Sequence, residues 1–98
     1  MPEYIYLLQE REFIRTNENI YKVGKTKQIN NKHFYQYSKG SIVLYQIICN
    51  NCHNMEIEII RLFKEKFILR NEFGNKYFEG DAHVLFQQMY DKLHFLNL

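Results

Sequence analysis

Residues 4–24 read YIYLLQEREFIRTNENIYKVG, and the two ends of this stretch decide the fold. The first end, Tyr4 to Gln9, is aromatic and aliphatic with no breaker, which is the composition of a strand. The second end, Ile20 to Gly24, reads as another strand that stops on a glycine. Between them the chain is charged and then turn-like at Thr16-Asn17-Glu18-Asn19. Two strands this near in sequence predict an antiparallel hairpin with a longish loop. Side-chain alternation puts Tyr4, Tyr6 and Leu8 on one face and Ile5 and Leu7 on the other.

Working outward, Asn30 or Asn31 is placed to cap a short helix through Tyr37, which Lys39-Gly40-Ser41 would end. Ile42 to Cys49, IVLYQIIC, is almost continuously apolar and suits a central strand covered on both faces. Asn51 or Asn54 would start a second helix reaching about Phe67 or Leu69. Its apolar stripe is Met55, Ile59, Ile60, Phe63 and Phe67, with Glu58, Arg61 and Glu65 on the wet side. Glu56 falls at the edge of the stripe. It is either a first-turn carboxylate favoured by the helix dipole or a carboxylate turned inward for chemistry.

NEFGNKYFEGD, residues 71–81, reads as a turn, a short extended piece at Lys76 to Phe78, then Gly80 and a capping Asp81. A final helix carries Ala82, Leu85, Phe86, Met89, Tyr90, Leu93 and Leu96 on one face, a core stripe. The predicted order is β-β-α-β-α-(β)-α. It describes one α+β domain over residues 1–98, with a small, mostly antiparallel three-stranded sheet flanked by helices.

Composition agrees with a single folded domain. The chain has 98 residues, 46% of them hydrophobic, and its 8 Tyr and 8 Phe supply large buried areas. A net charge of +2 does not mark a nucleic-acid binder by itself. The charge is segregated, however. Lys22, Lys25, Lys27, Lys32 and Lys39 fall in a stretch with no Asp or Glu, whereas Glu56, Glu58 and Glu65 lie close together later. That pattern is either a solvated basic loop or one positive face. The opening MPEYIYLLQE lacks the plan of a signal peptide, and no window is long and apolar enough to span a membrane. The expected setting is intracellular, the cytoplasm or nucleus of a host cell if the source is viral.

Cys49, Cys52 and His53 read CNNCH, the pattern of covalent haem attachment. That chemistry needs export, and no export signal is seen. Structural zinc needs four ligands, and the fourth would have to be distant, such as His33 or His83. The default reading is two small buried thiols at a strand-to-helix junction.

Gly24-Lys25-Thr26 invites a phosphate-loop reading. A P-loop needs a glycine five residues before Gly24, and Asn19 stands there, preceded by no glycine-rich loop. A different constellation accounts for more. Phosphodiester hydrolysis needs a base for water, cations for the developing charge and a carboxylate for a divalent ion. Tyrosines, lysines and Glu56 supply those types.

YIYLL followed by YKVGKT resembles the paired strand motifs of the GIY-YIG nuclease superfamily, in particular its compact branch in phages and large DNA viruses. QYSKGS, CNNCHNMEIEIIRLFKEKF and GNKYFEGD follow in that branch's order, so the resemblance runs from about Tyr4 to Asp81. It implies a metal-dependent endonuclease or nicking module acting on DNA, with Mg²⁺ or Mn²⁺ as cofactor and a second copy of the chain as a candidate partner. The family's first-motif tyrosine falls on Tyr6. Its second motif falls on Lys22-Val23-Gly24, preceded by Tyr21, and its helix glutamate, which holds the ion, falls on Glu56. The resemblance thus implies catalytic roles for Tyr6, Tyr21, Lys22, Lys25, His33 and Glu56. It implies backbone contacts for Lys25, Lys27, Lys32 and Lys39. The family's first-helix arginine is His33 in this chain. Imidazole does not replace a bidentate guanidinium at a phosphate. That departure supports the alternative of a degenerate domain that binds nucleic acid or a protein without cutting.

Overall fold

The computed structural model describes residues 3–26 and 39–97. Strand β1 (Glu3–Gln9) leads through a short helix α1 (Arg11–Arg15) to β2 (Ile20–Thr26). After β3 (Ile42–Cys49) come helix α2 (Cys52–Lys66), the two short strands β4 (Ile68–Leu69) and β5 (Tyr77–Glu79), and helix α3 (Ala82–Asn97). The predicted hairpin is present: β1 and β2 are antiparallel, with Tyr6 opposite Gly24 and Leu7 opposite Val23.

The sheet has five antiparallel strands in the order β3-β1-β2-β5-β4, where three were expected. The two additions are short. Phe78 of β5 lies between Tyr21 of β2 and Leu69 of β4. β5 covers most of the extended piece expected at Lys76 to Phe78, whereas β4, two residues with too little periodicity to read as a strand, lies where the sequence continues the preceding helix.

The position of β3 also corrects the sequence reading. Among the described residues it is an edge strand with β1 as its neighbour in the sheet, not a central one. The free side of β2 is taken by β5, which makes β2 the central strand and leaves β3 to pair on the outer side of β1. Tyr45, Ile47 and Cys49 face the core, while Ile42, Leu44 and Ile48 are exposed, Ile48 to 57%. An unbroken apolar run therefore reflects one buried face and one exposed apolar face.

Helices α2 and α3 cover one face of the sheet. Their Met55, Ile59, Phe63, Leu85, Met89 and Leu93 close over Ile5, Leu7, Tyr21, Val23 and Phe78. This is the stripe that helical spacing predicts, although Phe86 and Tyr90 stay partly exposed, with Phe86 edge-on to Tyr45. Asp81 caps α3 as expected, its Oδ1 accepting from the amides of His83 (2.9 Å) and Val84 (3.2 Å). The expected cap of α2 differs. Asn51 occupies the cap position in a left-handed conformation and makes no side-chain cap bond. Glu3 supplies the acceptor instead: its Oε2 takes the amide of Cys52 at 3.2 Å.

Helix α1 lies where a charged loop was expected. Its one buried side chain, Phe13, packs edge-on against Phe73 at 4.9 Å and Tyr77 at 6.4 Å. The amide of Arg11 donates to Ser41 Oγ at 3.0 Å, tying the start of this helix to the entry of β3. The helix predicted over Asn30 or Asn31 to Tyr37, and with it Lys27, Lys32 and His33, lies outside the described residues.

Candidate functional site

Pleat alternation divides the candidate residues between the two faces of the sheet. Tyr21 and Val23 point into the helix-covered core, so Lys25 shares their face and Lys22 and Gly24 take the opposite one. Tyr6, opposite Gly24, lies on that second face with its ring over the glycine. Glu56 projects from α2 on the helix-covered side. The structure thus brings Lys25 and Glu56 to one side of the sheet and sets Tyr6 and Lys22 on the other.

Glu56 is the most unusual polar side chain on the covered side. It is 4% exposed. Its Oε1 accepts from Lys76 Nζ at 3.1 Å, while its Oε2 is buried with no hydrogen-bond partner among the described residues. Lys76 is delivered by the turn before β5, where its carbonyl accepts the amide of Val23 at 3.0 Å and so locks that turn to β2. The inward reading of Glu56 therefore holds over the half-exposed one. The reason is its place between Met55 and Ile59 on the buried stripe.

Lys25 and His53 form a second contact at the start of α2, with Lys25 Nζ 2.8 Å from His53 Nδ1. In this contact the Lys25 ammonium is the donor and Nδ1 the acceptor. His53 and Glu56 are one helical turn apart on the same helix. Lys25, His53, Glu56 and Lys76 thus belong to neighbouring parts of one side of the fold. His53 and Lys76 were not foreseen in this role. Their spacing to Glu56 offered a signal for His53, and nothing in the sequence pointed to Lys76.

Tyr21 is 6% exposed, and burial, followed by the charge of Asp81, raises its phenol above the ordinary value. It remains protonated at neutral pH, able to donate a hydrogen bond but not poised to take a proton. On the far face, Lys22 Nζ sits 5.6 Å from the centre of the Tyr77 ring, whose hydroxyl donates to Glu10. Tyr6 is 2% exposed. Lys39 is exposed in the turn before β3.

Among the described residues, no group of three or more His, Cys, Asp or Glu side chains stands together to hold a metal ion. Cys49 and Cys52 pair with each other, Sγ to Sγ at 2.6 Å, and the His53 ring nitrogen Nδ1 is turned to Lys25. Among the described residues, no helix is long and apolar enough to cross a membrane. Comparison with protein-family models, curated proteins and solved structures finds no match to this chain.

Proposed function

We propose that this chain is a small, metal-dependent endonuclease or nicking module that hydrolyses DNA phosphodiester bonds, in the manner of the GIY-YIG nucleases it resembles. The observation that carries the reading is the buried Oε2 of Glu56, without a partner among the described residues, in a lysine-bearing neighbourhood. A buried carboxylate oxygen without a donor is costly to keep. A cation completes it. A single hard oxygen donor suits Mg²⁺ or Mn²⁺, whose remaining positions are ordinarily filled by water and phosphate oxygens. In this reading Glu56 would be the ion's protein ligand, in competition with its contact to Lys76.

When bound, the ion supplies Lewis-acid polarisation of a phosphoryl oxygen and a more acidic water. The protein's own contribution is electrostatic. Lys25 and Lys76 offset charge that builds on the phosphate, and His53 positions Lys25 through its Nδ1. Tyr21 acts as a donor from its raised phenol, rather than as a base.

A plasmid-nicking assay with Mg²⁺ or Mn²⁺ tests this, comparing the wild type with Glu56→Ala and Tyr6→Phe. Loss of nicking in Glu56→Ala supports the reading. Equal cleavage by all three proteins identifies a contaminating nuclease and sinks it.

A second reading has its own observation. Tyr6 and Glu56, which the family resemblance places around one phosphate, lie on opposite faces of the sheet. That separation, with His33 in the family's arginine position, favours a domain that binds nucleic acid without cutting. It predicts DNA binding at low salt that weakens steeply as salt rises and needs no divalent ion. If His33→Arg awakens cleavage in an inert wild type, degeneration of a cutting ancestor is supported. Undetectable binding at low salt would point to a protein partner instead.

A further inference from the structure

The proposed function leaves CNNC, residues 49–52, unused. Cys49 ends β3 and Cys52 opens α2, and the tight turn between them passes through Asn51 in a left-handed conformation. That turn brings the two sulfurs to 2.6 Å, well inside ordinary contact, with both residues reduced. The pair is buried, Cys52 to 1% and Cys49 to 6% exposure. The carboxylate of Glu3 holds the amide of Cys52 in place. Two thiols of the core are thus held facing each other by a strand end, a helix start and a side-chain cap.

We propose that Cys49 and Cys52 are a reversible dithiol–disulfide pair, oxidised by a low-molecular-weight disulfide of the glutathione type. Cys49, the more accessible, must first lose its proton, which burial disfavours; as thiolate it attacks one sulfur of the oxidant, forming a mixed disulfide and releasing one thiol. Cys52 then attacks the Cys49 sulfur, closes the intramolecular bond and expels the second thiol. The two protons lost by the protein end on the two released thiols. The protein pair is oxidised by two electrons and the oxidant is reduced by two.

The ring closed by this bond spans four residues. A ring so short restricts the unfolded chain little, so its stabilising effect falls at the small end of the range for disulfides. This marks the pair as an exchanging site rather than a staple. The bond would join the end of β3 to the first turn of α2, the turn that also carries His53 and leads into Glu56. The proposal stands without the nuclease reading, since its readout is thiol chemistry alone.

The test equilibrates the full chain with mixtures of reduced and oxidised glutathione, starting once from reduced and once from oxidised protein. Acid quenching, maleimide labelling and intact mass then count the thiols. The expected result is a monomeric species that has lost two hydrogens and carries no glutathione. It should be reached from both directions and reversed by excess reduced glutathione. Its equilibrium constant should be at least tenfold more favourable in the folded protein than in denaturant. Cys49→Ser and Cys52→Ser should each abolish the species. Two free thiols at every glutathione ratio from both directions would overturn the proposal. So would stable mixed disulfides, or disulfide-linked dimers in place of the internal bond. An equilibrium constant unchanged by denaturant would overturn it too, by showing that the fold does not preorganise the pair.

Discussion

The Tyr6 ring lies over Gly24 so closely that a β-carbon at residue 24 would come within 2.3 Å of both its Cζ and Oη. The two residues are directly opposed on neighbouring strands, and Tyr6 is among the most buried large side chains of the protein. The glycine is therefore required by a close approach of an aromatic ring within the sheet, and its backbone needs no positive φ. Gly24→Ala should lower stability by about 1–3 kcal/mol, the usual range for overpacking a filled site. Urea unfolding checks the magnitude. The same change in a Tyr6→Leu background should cost measurably less. Equal costs in both backgrounds would show that the ring is not the obstacle.

Glu56 and Lys76 make a separate prediction that concerns stability alone. Lys76 is the donor on Oε1, and Oε2 has none among the described residues. Lys76→Met would leave the whole carboxylate without a donor in a buried site. The lysine is 34% exposed, so solvent softens the loss. The expected destabilisation is about 1–3 kcal/mol, below that of breaking a fully buried pair. Adding Glu56→Gln to Lys76→Met should recover part of it, because the amide carries no charge to strand. A double-mutant cycle by chemical denaturation measures this coupling. Strictly additive effects would show that the contact carries no energy.

These two relationships differ in how far the sequence announced them. The strand pair was legible because Tyr4 to Gln9 and Ile20 to Gly24 have strand composition at hairpin spacing, and alternation fixed which residues share a face. The stripes of α2 and α3 followed from helical period in the same way. The wheel put Glu56 at the edge of the stripe and left its inward and first-turn readings both open, and nothing pointed to Lys76. Its approach depends on a turn docked to β2 through a backbone bond, which is blind to side-chain identity. The edge position of β3 was hidden for a related reason. An apolar run states that a strand is sticky, and the strands taken up elsewhere in the sheet decide whether it is covered. Helix α1 was missed because five charged and mixed residues hold a helix through one buried ring, Phe13. The division of Tyr6 and Glu56 between faces could have been suspected from parity along the hairpin. Which face α2 covers had to come from the fold.

Buried thiols and phenols predict alkaline lability. Burial is the leading cause that raises Cys49, Cys52, Tyr21 and Tyr45 above their ordinary values. Nearby carboxylates add to the rise, Glu3 for both thiols, Glu56 for Cys52 and Asp81 for Tyr21. Each group favours the protonated form in the folded state, so its contribution is fully present below the unfolded value. It is lost as pH rises above that value towards the folded one. Stability should therefore hold through neutral pH and fall as pH passes the ordinary thiol value of 9.0 and then the phenol value of 10.0. Replacing both cysteines by alanine should remove the first part of the decline and leave the second. Urea titrations across this range decide it, and a decline unaltered by the double replacement would assign the lability to other groups.

The junction between β3 and α2 offers the last test, because two residues share the work that one capping side chain ordinarily does. Asn51 takes the left-handed conformation, with φ 53° and ψ 52°, and Glu3 reaches across from β1 to accept the Cys52 amide. A β-branched residue is poorly suited to that conformation, so Asn51→Val should destabilise by at least about 1 kcal/mol. Asn51→Gly should be neutral or slightly stabilising, since relief of the left-handed cost is offset by greater freedom of the unfolded chain. Glu3→Ala should cost about 1 kcal/mol, as loss of a cap does, and Glu3→Gln less, because the amide oxygen still accepts while the charge beside the helix N-terminus is gone. Thermal melts of the four variants at low and high salt separate these contributions. The difference between Glu3→Gln and wild type should shrink as salt rises, as should the same part of the Glu3→Ala cost, while the Asn51 differences stay fixed; a salt-independent Glu3→Gln difference would show that the helix start does not sense the charge of Glu3.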